Sequence, residues 1–143
     1  QDSSNKITGT LKLYEWLQDS KNKDLDEIRK CLGRMLFSGT EQEKEVGSLS
    51  GGEKHRLMLS KLMLQRANLL ILDEPNNHLD LEAIIALGEA LYNFSGSCIC
   101  VSHDRELIDA FANRILHLKG NGEIIDFKGS YEEYRTTYAM DEK

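Results

Sequence analysis

Leu69-Leu70-Ile71-Leu72-Asp73-Glu74-Pro75 is a short apolar run that ends on two adjacent carboxylates and the only proline of the chain. Four consecutive apolar residues are expected of a strand buried on both faces. Pro75 stops the strand, so Asp73 and Glu74 emerge at its carboxyl end. That is where open α/β sheets bind ligands. Downstream, Asp80 is placed to cap a helix carrying Leu81, Ile84, Ile85, Leu87, Leu91 and Phe94. Residues 98–101 read as a second buried strand, and Asp104 can cap a helix through about Phe111. Residues 115–118 and 124–127 read as strands around Lys119-Gly120-Asn121-Gly122, where Asn-Gly is a tight-hairpin signal. Ser130 opens a last helix through about Tyr138. Strand–helix–strand–helix–strand order implies parallel crossovers and an α/β layer.

Upstream, the pattern is helical. Leu11, Leu13, Tyr14, Trp16 and Leu17 cluster on a short amphipathic helix. Leu25, Ile28, Leu32, Met35 and Leu36 recur at three- and four-residue steps, a second helix. Residues 38–47 are polar and read as a loop. A third helix is expected over about 52–66, with Leu57, Leu59, Leu62 and Met63 as its apolar stripe. The chain is thus a helical part followed by part of an α/β domain, without internal repeats.

With 143 residues and 40% hydrophobic content, the chain supports one modest core. No apolar run approaches the roughly 20 residues of a membrane span. Gln1-Asp2-Ser3-Ser4 reads neither as a signal peptide nor as a natural start, so an excised portion of a protein is expected. A net charge of −6 argues against an electrostatic nucleic-acid binder. Two basic groups (Lys21, Lys23, Arg29, Lys30, Arg34 and Lys54, His55, Arg56, Lys61, Arg66) read as solvated helix faces. Three cysteines, an odd number, argue against a disulfide scaffold and fit a reducing cytosol. Cys98, Cys100 and His103 lack a fourth ligand at zinc-like spacing, so buried strand cysteines are expected.

The chemistry follows from position. Asp73 suits Mg2+, held directly or through water, because this hard cation prefers oxygen ligands. Glu74 suits orienting and deprotonating a water that attacks a γ-phosphate. His103, after the next strand, is expected beside Glu74, where it can sense the phosphate and polarise the water. Ser50-Gly51-Gly52 precedes a helix, and its glycines let backbone amides approach an anion at the positive helix end. Glu53 falls in the first turn, where a carboxylate is favoured. Taken singly, these features read equally as an acidic turn, a structural histidine and a plain N-cap. Gly47 and Gly52 have the gap of a phosphate-binding P-loop, but Glu53 stands where the lysine should be.

Taken together, in this order and spacing, the segments resemble the ATP-binding cassette (ABC) ATPases. Leu49-Ser50-Gly51-Gly52-Glu53 is similar to the ABC signature, residues 69–74 to Walker B, Asn77-His78-Leu79-Asp80 to the D-loop and His103 to the switch histidine. Gln1 falls where the Q-loop glutamine would be, which implies a Mg2+ and water contact. The D-loop, Val101-Ser102-His103-Asp104-Arg105 and Phe127-Lys128-Gly129-Ser130-Tyr131-Glu132-Glu133-Tyr134 resemble the ABC-F class. That class carries two cassettes on one chain and no membrane domain. Leu32-Gly33-Arg34-Met35-Leu36-Phe37 and the intact signature look more like a second cassette than a first. Asn76 departs from the pattern, since most relatives have Thr there.

The fold this resemblance implies is α/β: a helical subdomain, then the second half of a P-loop NTPase-like cassette with a mainly parallel sheet. Residues 1–67 would hold the Q-loop remnant, helical subdomain and signature helix, and residues 68–143 the Walker B, D-loop and switch-histidine part with a C-terminal hairpin and helix. The implied activity is ATP hydrolysis with Mg2+ at a two-cassette interface. Ser50, Gly51, Gly52 and Glu53 would grip ATP bound to the opposite cassette. Asp73, Glu74 and His103 would serve this cassette's own ATP, and Asp80 would link the two sites. The implied partners are the second cassette and the ribosome or its RNA, in the cytoplasm. Without Walker A the fragment alone is expected to be inactive. The rival readings are the ATPase subunit of a transporter with a membrane partner, and a non-enzymatic docking module.

Overall fold

The computed structural model describes residues 7–18 and 24–138. Its first part consists of α1 (Leu13–Leu17), α2 (Leu25–Arg34) and α3 (Gly51–Leu64). Asp24 starts α2 by accepting hydrogen bonds from the N–H groups of Asp26 and Glu27, at 3.0 and 3.3 Å. Ile28 and Leu32 face the core from α2, joined by Met35 and Phe37 beyond its end. The segment expected to be a polar loop carries two short 3-10 turns, Glu41–Glu43 and Val46–Ser48. Val46 is fully buried there. Buried Gln42 donates to the carbonyls of Arg29 and Phe37 at 3.1 and 3.0 Å, so this segment closes over the end of α2.

Arg56 and Lys61 of α3 pack against neighbouring groups instead of lying on the solvated face expected of them. Arg56 donates to the carbonyls of Met35 and Leu36 at 3.0 and 3.2 Å, and its guanidinium lies 4.7 Å from the Phe37 ring centroid. Helix ends leave carbonyls without partners, and a long cationic side chain can supply the donors. The Lys61 ammonium lies 4.2 Å from the Trp16 ring centroid. Arg66 pairs with Glu27 at 3.0 Å. In the other basic group Arg29 pairs with Glu43 at 3.3 Å, while Lys21 and Lys23 lie outside the described residues.

The second part begins with β1 (Leu69–Asp73), α4 (Leu81–Tyr92) and β2 (Ser97–Val101). β1 and β2 pair in parallel, with Leu69 opposite Ser97 and Asp73 opposite Val101. α4 is therefore the crossover that the alternation implies. Asp80 caps it, accepting from the Ala83 N–H at 2.9 Å. α5 (Arg105–Phe111) follows β2 and is capped by Asp104, which accepts from the Leu107 N–H at 2.9 Å. Leu70 and Leu72 join Ile84, Leu87, Leu91 and Leu107 in the core. The same cluster runs on through Leu57, Leu59 and Leu64 of α3 to Ile7, Leu13 and Phe37.

The strands are not buried on both faces, as the apolar runs led us to expect. Ile71 is 72% exposed, and Ile99 and Val101 are each 54% exposed. Alternate residues of a strand point to opposite faces. The core takes one face of the pair, and nothing among the described residues covers the other. β3 (Arg114–Leu118) and β4 (Ile124–Lys128) pair antiparallel with one another and form a separate two-stranded sheet. The Asn-Gly signal marks this hairpin, and its connection spans residues 119–123 as the expected strand bounds imply. Gly120 and Gly122 take left-handed φ values of 68° and 91°, and Asn121 accepts from the Glu123 N–H at 3.0 Å. α6 (Tyr131–Tyr138) packs Tyr134 against the rings of Phe127 and His117. No helix among the described residues is long and apolar enough to cross a membrane.

Candidate active site

Asp73 ends β1 and faces solvent, and its carboxylate makes no ion pair or hydrogen bond among the described residues. Glu74 follows at the turn. Its N–H donates to the Val101 carbonyl at 2.7 Å, which extends the pairing with β2 one step past Asp73. Its φ is 46°, a left-handed backbone that costs a side-chain-bearing residue about 1–2 kcal/mol. Strain of this kind persists where the surroundings enforce it, and it clusters at functional sites. β2 carries the chain to His103, whose Nε2 lies 3.5 Å from Glu74 Oε1. The histidine ring is 95% exposed and the Glu74 side chain 25% exposed, so the pair opens to solvent on the histidine side. The placement of His103 beside Glu74, argued from the strand order, is thus observed as geometry.

The turn between β1 and α4 is tied to the segment after β2. Asn76 Oδ1 accepts from the Ser102 hydroxyl at 2.9 Å, and Ser102 Oγ accepts from the Asp104 N–H at 3.1 Å. The asparagine at this position therefore does hydrogen-bond. Asn77 N–H donates to the Glu74 carbonyl at 3.2 Å, and His78 takes a left-handed φ of 65°.

At the start of α3, Ser50 and Glu53 form a reciprocal cap. Ser50 Oγ accepts from the Glu53 N–H at 3.2 Å, and Glu53 Oε1 accepts from the Ser50 N–H at 3.1 Å. Lys44 Nζ lies 3.7 Å from the other Glu53 oxygen. Burial pushes the Glu53 carboxyl up, but its hydrogen bonds with Ser50 and the nearby Lys44 and Arg56 outweigh that and leave it below its ordinary value. The Glu53 carboxylate is therefore engaged with its own helix end, while the Ser50 hydroxyl proton stays available to a ligand. A Cβ at Gly51 would meet nothing within 4 Å. Neither Gly51 nor Gly52 has positive φ, so neither backbone conformation demands glycine. Gly52 is different in its packing: a Cβ there would approach the His78 carbonyl to 3.0 Å. α3 therefore runs beside the turn that follows Glu74.

Asp80 is exposed, but its carboxylate is used locally as the cap of α4. Gln1 lies outside the described residues. Burial pushes Cys100 up to about 12, with Cys98, Glu74 and Asp73 adding to the effect, and burial also raises Cys98. Both stay thiols, which suits neither metal binding nor nucleophilic attack. No group of three His, Cys, Asp or Glu converges to hold a metal among the described residues. Mg2+ does not need one, because it commonly binds through one or two carboxylates together with substrate phosphates. The free carboxylate of Asp73 at a strand end and the open space at Gly51, the first residue of α3, fit a magnesium nucleotide.

Sequence reasoning missed His55, whose Nε2 lies 2.7 Å from the Pro75 carbonyl. The sequence reading places it on the solvated basic face. Set among lysines and arginines, it carries no local pattern that signals this contact.

Residues 2–77 match the ABC transporter family, a stretch that takes in Ser50, Gly51, Gly52, Glu53, Asp73 and Glu74. The chain belongs to this family. Its members are defined by a nucleotide-binding ATPase domain, and the α/β architecture agrees. The chain is 49% identical over 137 residues to the uncharacterized ABC transporter ATP-binding protein YkpA of Bacillus subtilis, covering 94% of this chain and 25% of that protein. It is 45% identical over 106 residues to the energy-dependent translational throttle protein EttA of Escherichia coli K12, covering 74% of this chain and 19% of EttA. A solved structure of the archaeal ribosome recycling factor aABCE1 in complex with the ribosomal stalk protein aP1 matches with a TM-score of 0.62. That match has 25% identity and covers 92% of this chain and 28% of the matched chain. The chain spans about a quarter or less of the length of these curated relatives.

Proposed function

We propose that this chain is the signature- and Walker B-bearing part of an ABC-F ATPase that hydrolyses ATP between two cassettes and acts on ribosomes in the cytoplasm. The observation that carries the ATPase reading is the pairing of Glu74 with His103 at the carboxyl ends of two adjacent parallel strands, 3.5 Å apart. The strained φ of Glu74 and the open space at Gly51 support it. The ribosomal reading rests on similarity to EttA, whose name describes translational throttling, and on the Asn77-His78-Leu79-Asp80 loop.

In this reading Glu74 accepts the proton of the attacking water at its carboxylate, and His103 orients that water from the neighbouring strand end. Asp73 would hold Mg2+, whose bound charge would offset the negative charge of the phosphates. Gln1 would add a further ligand for that metal. Ser50 Oγ and the amides of Gly51 and Gly52 donate to the γ-phosphate of an ATP held by the opposite cassette, at a helix end that already favours anions. Glu53 keeps that helix end formed. Asp80 begins the helix that follows the interface loop and links the two sites. Residues 1–67 act as the helical and signature portion, and residues 68–143 as the catalytic portion.

The test is co-sedimentation with ribosomes of the complete protein carrying Glu74→Gln, with and without ATP. Pelleting that depends on ATP is expected. Retained ATP binding without pelleting would overturn the ribosomal reading and favour a transporter subunit, in keeping with the name of YkpA, an ABC transporter ATP-binding protein.

A further inference from the structure

His55 makes a bond that the proposed mechanism does not use. Its Nε2 lies 2.7 Å from the carbonyl oxygen of Pro75, in a half-buried setting. A carbonyl oxygen only accepts, so Nε2 carries the proton and donates. His55 stands four residues after Gly51, on the same side of α3. Gly52 meets the carbonyl of His78 from the same helix, so α3 touches the turn after Glu74 at two points.

The bond lands next to the catalytic carboxylate. Pro75 follows Glu74 directly and is buried. Its ring fixes φ and the peptide before it is planar, so the ψ of Pro75 is the one soft torsion between the Glu74–Pro75 peptide and the Pro75 carbonyl. On the other side, the Glu74 N–H is held by the Val101 carbonyl at 2.7 Å. Glu74, strained at a φ of 46°, is thus clamped between β2 and α3. Of these two clamps, only the His55 bond depends on a side chain.

We propose that His55 is a positioning residue that holds Glu74 in its productive place from the helix bearing the phosphate grip. This deepens the ATPase reading and rests on Glu74 being the base. The bond makes the α3 end at Ser50, Gly51 and Gly52 and the base at Glu74 parts of one rigid unit.

The experiment measures ATP turnover of the complete protein as wild type, His55→Phe, His55→Gln and Glu74→Gln. His55→Phe keeps a ring but loses the donor, and His55→Gln restores an N–H donor. The expected result is a kcat lowered roughly 10-fold in His55→Phe, with KM within about twofold, because misplacing a catalytic group costs rate rather than binding. His55→Gln should recover most of that loss while its melting temperature stays equal to that of His55→Phe. A wild-type kcat in His55→Phe, or a loss that His55→Gln does not restore, would overturn the proposal while leaving Glu74 as base, provided Glu74→Gln is inactive. Wild-type turnover in Glu74→Gln would instead remove the base assignment and this proposal with it.

Discussion

Gly51 and Gly52 are neighbours in sequence but answer to different constraints. A Cβ at Gly51 meets open space, whereas one at Gly52 meets the His78 carbonyl at 3.0 Å. Helix positions favour alanine over glycine by up to about 1 kcal/mol. Gly51→Ala should therefore leave the unfolding midpoint unchanged or slightly raised, yet lower ATP turnover in the complete protein by crowding the phosphate. Gly52→Ala should lower both, with a stability loss of about 1 kcal/mol as the His78 turn gives way. Thermal unfolding together with turnover separates the two, and full activity in Gly51→Ala would argue against a phosphate grip. The residues of this site differ in how legible they were. Asp73, Glu74 and His103 could be read because an apolar run announces a strand and the next residues must sit at its end. His55 could not, because a histidine among lysines and arginines gives no local sign that its ring will face a carbonyl twenty residues on.

Elements were legible where a cap and a periodic apolar stripe coincide. Asp80, Asp104 and Ser50 each cap the helix expected of them. Ser130 does so too, accepting from the Glu133 N–H at 3.2 Å. What periodicity could not give was how closely elements approach. Gly88 lies in the middle of α4, where glycine is unfavourable by itself. A Cβ there would come within 2.5 Å of the Ala110 Cβ on α5. The glycine lets the two helices touch. Gly88→Ala should therefore destabilise by roughly 1–2 kcal/mol in denaturant unfolding, because overpacking outweighs the gain in helix propensity. Ala110→Gly in the same background should restore most of the loss. Stabilisation by Gly88→Ala alone would show that α4 and α5 are not held at this distance.

At the scale of the molecule, one core cluster joins the helical part to the parallel strand pair through α3. α3 is the central piece. His55 and Arg56 are consecutive and about 100° apart around the helix, so one reaches the β1–α4 turn and the other the end of α2. The exposed faces of β1 and β2 could not be foreseen. An apolar run states that both faces favour burial, but not which element covers the second one. The hairpin of β3 and β4 likewise stands apart from the parallel pair, although the strand–helix alternation implied a second parallel crossover, from β2 through α5 to β3. The parallel pair itself and its single crossover were legible, and they bring Glu74 to His103. The most direct test of that arrangement is steady-state ATP hydrolysis by the complete protein with Glu74→Gln, alongside a measurement of ATP binding. A base of this kind contributes about 10²–10⁴-fold, so turnover should fall at least about 100-fold while ATP binding persists. Turnover at the wild-type rate would contradict the account.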